Sequence, residues 1–464
     1  MSAEPRIAII GAGPTGLGAA WRLHERGHTN WSLYESTAQP GGLASSIVDP
    51  QGFTWDLGGH VLFSHYPYFD QVMDGALGDA WVEHVREAWV WMRDRWIPYP
   101  FQNNIWRLPE AERNACVAGL EALQGRSGDS KPATFRDWLL ASFGTGLCDT
   151  FMLPYNKKVW AYDPARLDVG WMGERVATVD VQRVRRNIEL QKDDVSWGPN
   201  STFRFPLRGG TGAIWRAIAM QLPAWRLHYD SPIVGIDAGK RQLLSGSGES
   251  IDYDVLISTM PLDGLVQKVT GGPDLASLAA SFVYSSSHIV GVGVQGAPPA
   301  DLTTKCWIYF PEPAVPFYRA TVFSNYSPTN APPGHWSLMA EVSESPDKAV
   351  NAKTIVDEVI EGCRACGFID RAKVVSAWHL RLDHGYPTPW LGRDRVLDAI
   401  DPALRAAGIF SRGRFGAWKY EVSNQDHSFM QGVEAIDHVL TGTPEHTYYG
   451  DMSGGHVGKI QNTK

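Results

Sequence analysis

Six residues near the start of the chain, Gly11-Ala12-Gly13-Pro14-Thr15-Gly16, have the types and spacing to hold a pyrophosphate. Gly11 permits a tight turn, Gly13 lets the backbone approach a phosphate, and Gly16 lets a following helix pack close to a preceding strand. Pro14 and Thr15 open that helix, whose exposed amides and positive dipole attract an anion without any side-chain charge. Glu35 lies about 20 residues beyond the glycines, where a ribose hydroxyl needs an acceptor.

These groups require a strand that ends at them and a helix that starts from them. Ile7, Ala8, Ile9 and Ile10 form a continuous apolar run, as expected of a buried central strand in a parallel sheet. Leu17, Ala20 and Leu23 follow at helical spacing, and Trp31-Ser32-Leu33-Tyr34-Glu35 reads as the second strand. A glycine fingerprint alone is weak, since glycine-rich turns also arise for steric reasons. The next segment, Pro40-Gly41-Gly42-Leu43-Ala44-Ser45, is a second glycine pair and resembles the pattern of flavoproteins whose cofactor domain has two dinucleotide-type halves. FAD is therefore preferred over NAD.

The 464 residues allow two to four domains at roughly 100–200 residues each. Forty-two basic against 50 acidic side chains give a net charge of −8, which argues against nucleic acid as a partner. Five scattered cysteines argue against a disulfide framework and for a reducing compartment. Apolar runs fall short of the roughly 18 residues of a membrane span, so the chain reads as soluble and cytoplasmic. His60 and His65 suggest metal ligands, yet the sequence offers no Cys or carboxylate cluster to complete a shell, so no metal is expected.

Further along, Pro98-Tyr99-Pro100-Phe101-Gln102-Asn103-Asn104 reads as a stiffened loop holding a ring ready to stack, and its three amides make it a poor core segment. Residues 108–185 lean helical, with helices expected over 111–123 and from Thr134 onward. Lys157 and Lys158 read as a solvated basic face. A glycine-rich connection at 209–212 opens a helix over 214–222, and strands at 231–236 and 251–259 read as a β-meander and a strand returning to the first sheet. Between about 275 and 390 β-rich segments dominate. Polar residues 423–428 are expected to cap a helix from about Phe429 to Leu440.

The strings GGHVLFSHY, PYPFQNN, PYNKKVWA, GPNSTFRFP, FSNYSP, DHGYPTP and RGRFGAWKYEVSNQDHSFM together resemble the UDP-galactopyranose mutase family, particularly its eukaryotic-type branch, from about residue 6 to 440. The resemblance implies an α/β fold: an FAD-binding Rossmann-like domain (1–75, 203–270 and 405–464), an inserted helical substrate domain (105–185) and an antiparallel β-sheet domain (76–104, 186–202 and 271–404). It implies an isomerase interconverting UDP-galactopyranose and UDP-galactofuranose, with N(5) of reduced FAD as nucleophile toward the anomeric carbon and no net redox. Arg319 and Arg414 match the family's diphosphate arginines, and Tyr309, Tyr386 and Tyr420 its hydroxyl donors. Tyr99, Phe101, Gln102, Phe151, Met152, Asn156 and Trp160 match its uridine pocket. His60, Arg175 and Asn200 match residues that respond to flavin reduction or border the sugar. Gly59, Ile233, Asn424, Gln425 and Ser428 join the two glycine motifs as cofactor contacts. Arg86 matches an arginine implicated in NADPH binding, although Ala88 stands where the family carries a serine, and the loop after FSNYSP is short. NADPH or another reductant and a homo-oligomer are thus left open.

Two alternatives use the same fold: the same chemistry on another nucleotide sugar, and an amine oxidase-like oxidoreductase. Paired arginines and tyrosines speak against the second, because an oxidase of apolar amines has little use for an anion clamp.

Overall fold

The computed structural model describes residues 4–124, 131–172, 179–195 and 201–450. Ile7–Ile10 is the middle of a five-stranded sheet ordered Ile409–Ser411, Val255–Ser258, Ile7–Ile10, Trp31–Tyr34, Leu227–His228. Every pairing is parallel, and all four residues of the central strand are buried, as an apolar run covered on both faces requires. The segment read as one strand over 251–259 divides: Ser250–Asp252 closes the antiparallel meander, and Val255–Ser258 returns to the parallel sheet.

Helix Pro14–Glu25 packs backbone to backbone on helix Gln425–Thr441; a Cβ on Gly18 would stand 2.3 Å from the Phe429 carbonyl oxygen. The second helix starts at Gln425 rather than at Phe429. Gln425, Asp426 and Ser428, expected as caps, form its first turn, while Asn424 takes the N-cap position without a side-chain hydrogen bond.

A seven-stranded sheet runs in the order Val374–Pro387, Tyr284–Gln295, His335–Glu344, Arg319–Val322, Trp307–Tyr309, Ala88–Met92, Arg95–Pro98. Its pairings are antiparallel except Trp307–Tyr309 beside Ala88–Met92, so the sheet is mixed at one junction. Val290, Val292 and Val294 enter an apolar core on one face. Gly291 and Gly293 alternate with them, and a Cβ on either would lie 2.6 Å from the ring of Trp55 or Phe53. The register sets Arg319 opposite Glu341.

Thr134 opens helix Phe135–Leu147 with a capping box: Asp137 N donates to Thr134 Oγ1 and Thr134 N to Asp137 Oδ2, both at 3.1 Å. Phe135, Leu139, Phe151 and Trp160 pack in one core with Trp55, Val90, Ile289 and Trp307, so these helices and the seven-stranded sheet share their apolar interior. Each such buried side chain contributes about 1.5–3 kcal/mol. Lys157 is exposed as expected, but Lys158 is not part of a solvated face. Its Nζ donates to the Glu312 and Val315 carbonyls at 2.8 and 2.9 Å, and burial, helped by Lys348, pushes its pKa down to about 7. Lys158 thereby ties helix Leu153–Trp160 to the loop between the Trp307–Tyr309 and Arg319–Val322 strands. Among the described residues no helix is long and apolar enough to cross a membrane.

Candidate active site

A cavity of about 1430 Å³ opens at the carboxyl ends of the parallel strands, bounded by Ile10, Tyr34 and Thr259, and extends to Tyr99, Asn156 and Tyr309. It exceeds the roughly 300–1,000 Å³ of a single small-ligand site. At the first end the residues fit a dinucleotide. Gly11 turns with φ +99°, and a Cβ on Gly16 would stand 1.8 Å from the Gly11 carbonyl oxygen. Gly13 differs: a Cβ there would meet nothing nearer than Gly42 Cα at 3.8 Å. Packing does not demand glycine at 13, and the missing side chain leaves the cavity wall open. Gly13 is the N-cap of helix Pro14–Glu25, with no side-chain cap and no acidic residue in the first turn, so the free amides there suit a phosphate. Ala12 N donates to Glu35 Oε2 at 2.7 Å, while Oε1 accepts from Ser36 Oγ, Thr37 N and Thr37 Oγ1. The second lone pair of Oε2 is left for a hydroxyl.

Asp56 roots the following loop. Ser46 Oγ donates to its Oδ1 at 2.5 Å and Thr211 Oγ1 to its Oδ2 at 2.6 Å; burial pushes the carboxyl up to about 7 against those bonds. Beyond it, Glu341 gathers four donors: Gly59 N at 3.0 Å, Tyr318 OH at 2.8 Å, and Arg319 Nε and Nη2 at 2.7 Å each. Burial alone would raise the Glu341 carboxyl, but the Arg319 charge and these bonds hold it below the usual range. Arg319 thus reaches the cavity with two nitrogens committed to a carboxylate. Arg414 Nη1 donates to Ser423 Oγ at 2.9 Å and Nη2 to the Gly385 carbonyl at 3.2 Å, with its guanidinium 4.9 Å from the Tyr386 ring. His60 lies within the influence of both arginines. Burial pushes its imidazole down to about 4, opposed by Glu341 and assisted by Arg414 and Arg319, so it is neutral at pH 7. Its Nδ1 has no hydrogen-bond partner among the described residues.

At the far end the rings interlock. Tyr99 lies 5.1 Å from Tyr309, Phe101 stacks on Phe151 at 4.4 Å, and Trp160 meets Tyr420 edge-on at 4.9 Å. Asn156 Nδ2 donates to the Met152 carbonyl at 2.8 Å. The expectation that Gln102-Asn103-Asn104 is a poor core segment does not hold: all three are buried. Asn104 Nδ2 donates to the carbonyls of Pro100 and Asp194, and its Oδ1 accepts from Asp194 N, which satisfies the amide inside the protein.

The cavity brings together Gly11, Gly13, Pro14, Thr15, Glu35, Gly42, Leu43, Ala44, Gly59, His60, Ile233, Asn424, Gln425 and Ser428. It also collects Tyr99, Gln102, Phe151, Met152, Asn156, Trp160, Tyr309, Arg319, Tyr386, Arg414 and Tyr420. Four expected contacts stand behind its wall. Gly16 packs on Gly11, Gly41 N donates to Ala12 O, Ser45 Oγ donates to Gly42 O, and Phe101 is wholly buried. Arg175 and Asn200 lie outside the described residues. Sequence reasoning missed Tyr155 and Tyr318, which also line the cavity, and Glu341. Tyr155, beside Asn156 in an already noted string, was findable; Glu341 carries no motif and is revealed only by strand register. The carboxylate that the sequence does not place near His65 is supplied by the fold: Asp426, at 2.7 Å.

A parallel-sheet dinucleotide cradle feeding a second, arginine- and tyrosine-lined chamber defines a flavin-dependent enzyme, with FAD as the cofactor the cradle fits. The chain belongs to the flavin-containing amine oxidoreductase family, whose model matches residues 14–385. It is 52% identical to a reduced UDP-galactopyranose mutase of known crystal structure, with a TM-score of 0.95 and 97% of each chain covered. A fatty acid isomerase from P. acnes (TM-score 0.64, 14% identical, 95% of this chain and 100% of that one) shares the fold alone. So does a putrescine oxidase (TM-score 0.63, 14% identical, 94% and 99%). Curated relatives match over short stretches. The polyenoic fatty acid isomerase of Ptilota filicina is 40% identical over 70 residues, 15% of this chain and 14% of that protein. The zeta-carotene desaturase of Zea mays is 41% identical over 68 residues, 15% of this chain and 12% of that protein. The chain thus spans 12–14% of those relatives' length.

Purified protein is expected to be yellow and to release FAD, intact and unmodified, on heating. Release of no flavin, or of FMN alone, would contradict the cradle.

Proposed function

We propose that this chain is a UDP-galactopyranose mutase, interconverting UDP-galactopyranose and UDP-galactofuranose without net redox change. The observation that carries the proposal is the 52% identity over 97% of both chains with a mutase of that name, in contrast to the 14% shared with the oxidase of the same fold. When bound, reduced FAD supplies the nucleophile for the anomeric carbon. The chain's own residues do the rest. Arg414 and the cavity face of Arg319 take up the charge of the departing UDP, since planar guanidinium forks match phosphate oxygens. Tyr309, Tyr386 and Tyr420 add hydroxyl donors, and neutral His60 offers a ring nitrogen without adding positive charge near the sugar. Tyr99, Phe151 and Gln102 face the base. Arg175 and Asn200 are the candidates for bordering the sugar, and the chain divides into a discontinuous cofactor domain, a helical domain and a sheet domain. Five free cysteines accord with a cytoplasmic setting. Arg86, which lines the cavity with its guanidinium 4.6 Å from the Trp307 ring, is the contact we propose for a nicotinamide reductant.

The test is anaerobic incubation of dithionite-reduced protein with UDP-galactopyranose and a panel of other nucleotide sugars, read by product chromatography. Only UDP-galactopyranose is expected to give a furanose product; turnover of another sugar alone would reassign the substrate. UDP is expected to compete, and Tyr99→Ala to weaken it by about 1–3 kcal/mol, roughly 5- to 150-fold in Kd. Better competition by GDP or TDP would remove the uridine assignment.

A further inference from the structure

The fold places two imidazoles on one buried carboxylate in the cavity wall. Asp426, with no exposed surface, accepts from His65 N at 3.1 Å and His65 Nδ1 at 2.7 Å on Oδ2. Its Oδ1 lies 3.0 Å from His427 Nδ1, and neither of those two atoms has a well-aligned hydrogen bond. Both histidines line the cavity. Among the described residues no arginine or lysine pairs with Asp426, whose ion-pair partners are the two histidines. Two hydrogen bonds from His65 hold this buried carboxylate, and among the described residues no fixed cation neutralises it, so an imidazolium formed beside it is directly compensated. The other titratable groups facing the cluster are mostly acidic. Asp70 of helix Pro67–Leu77, Glu434 of helix Gln425–Thr441 and the Tyr66 phenol all interact with this cluster or with one another. The nearby cation, Arg204 of strand Thr202–Pro206, is engaged with Asp74 at 2.6 Å. The spacing suits a proton better than a metal ion: ligands of a tetrahedral zinc with bonds of 2.0–2.1 Å stand roughly 3.3 Å apart, wider than 2.7 and 3.0 Å.

We propose that His65, Asp426 and His427 form a proton-holding site in the cavity wall, which takes one proton from solvent when the bound cofactor is reduced and returns it on reoxidation. With His65 Nδ1–H directed at Asp426, the proton goes to His65 Nε2, and Asp426 compensates the resulting imidazolium. The reductant, dithionite in the test, supplies two electrons; one proton goes to the cofactor and one to the cluster, and no bond between heavy atoms changes. The extra negative charge that reduction brings into the same cavity is what favours the uptake. The proposal rests on the flavin assignment and not on the identity of the sugar.

The experiment is spectroelectrochemical titration of the FAD-loaded protein across pH, above the pH at which reduced flavin in solution loses its own proton. The wild-type midpoint potential is expected to fall with the slope of two protons per two electrons, and that of His65→Gln or Asp426→Asn with half that slope. If Asp426→Asn does not fold, His65→Gln carries the comparison. Equal slopes in flavin-loaded wild type and His65→Gln, or one equivalent of zinc per purified chain, overturn the proposal alone. Wild-type protein that retains no FAD overturns the cofactor assignment with it.

Discussion

Oxidised protein is expected to convert no UDP-galactopyranose, and two-electron reduction by itself to switch turnover on, with no reductant consumed per product. Substrate and product have the same oxidation level, so on the proposed reading the electrons serve only to make a nucleophile. The cavity's described lining contains neither cysteine nor lysine, and its carboxylates are engaged with protein groups, Asp383 with Arg381. Glu35 is held by Ala12, Ser36 and Thr37 at the cradle, and Glu421 by a two-pronged bond from Arg393 at 2.7 and 2.8 Å. Anaerobic turnover counted against added dithionite measures this directly, with many products expected per pair of electrons. Hydrogen peroxide or NADPH consumption matched one for one to product would move the chain to the oxidative branch of its family.

The parts of this architecture that depend on neighbours in sequence were legible in the sequence. The strand over Ile7–Ile10, the cradle glycines and the Thr134 cap declare themselves through local periodicity and turn chemistry. What was not legible depends on register between distant segments. Glu341 lies 22 residues beyond Arg319 and becomes its partner only because two antiparallel strands align them. Lys158 looks like half of a surface pair, yet the fold turns it toward carbonyls 154 and 157 residues away. Asp426 reads as a helix-capping side chain until the helix is seen to begin one residue earlier, which directs its carboxylate to His65, 361 residues away. The amides after Phe101 mislead in the opposite sense: polar side chains can be buried when distant backbone groups satisfy them.

Replacing either cavity arginine by lysine is expected to cost at least about tenfold in catalytic efficiency, since a charge-assisted hydrogen bond is worth roughly 1.5–3 kcal/mol. The two substitutions should nevertheless differ in stability. Gly413 and Gly416, which flank Arg414, serve packing: Cβ atoms there would stand 2.4 Å from Thr15 Oγ1 and 2.2 Å from the Arg412 carbonyl. Arg414 itself makes only two hydrogen bonds, to a hydroxyl and a carbonyl, so its charge has no protein counterion among the described residues. Arg414→Lys is therefore expected to keep its FAD and a near-normal Tm while losing turnover. Arg319 is also the partner of buried Glu341, which it meets through two nitrogens, and that contact links it to Gly59 beside His60. Lysine keeps the charge but cannot fill both oxygens. Loosening a buried pair leaves part of the 3–5 kcal/mol that complete loss of a partner typically costs, so Arg319→Lys should lower Tm as well as turnover. Glu341→Gln separates the two roles of Arg319: it removes the structural counterion while leaving the guanidinium in place. Tm, flavin content and turnover measured together on the three variants decide the matter. Wild-type turnover in both arginine variants would remove the clamp. Loss of turnover in Arg319→Lys strictly in proportion to loss of folded, flavin-loaded protein would leave Arg414 as the phosphate ligand and make Arg319 a support for Glu341.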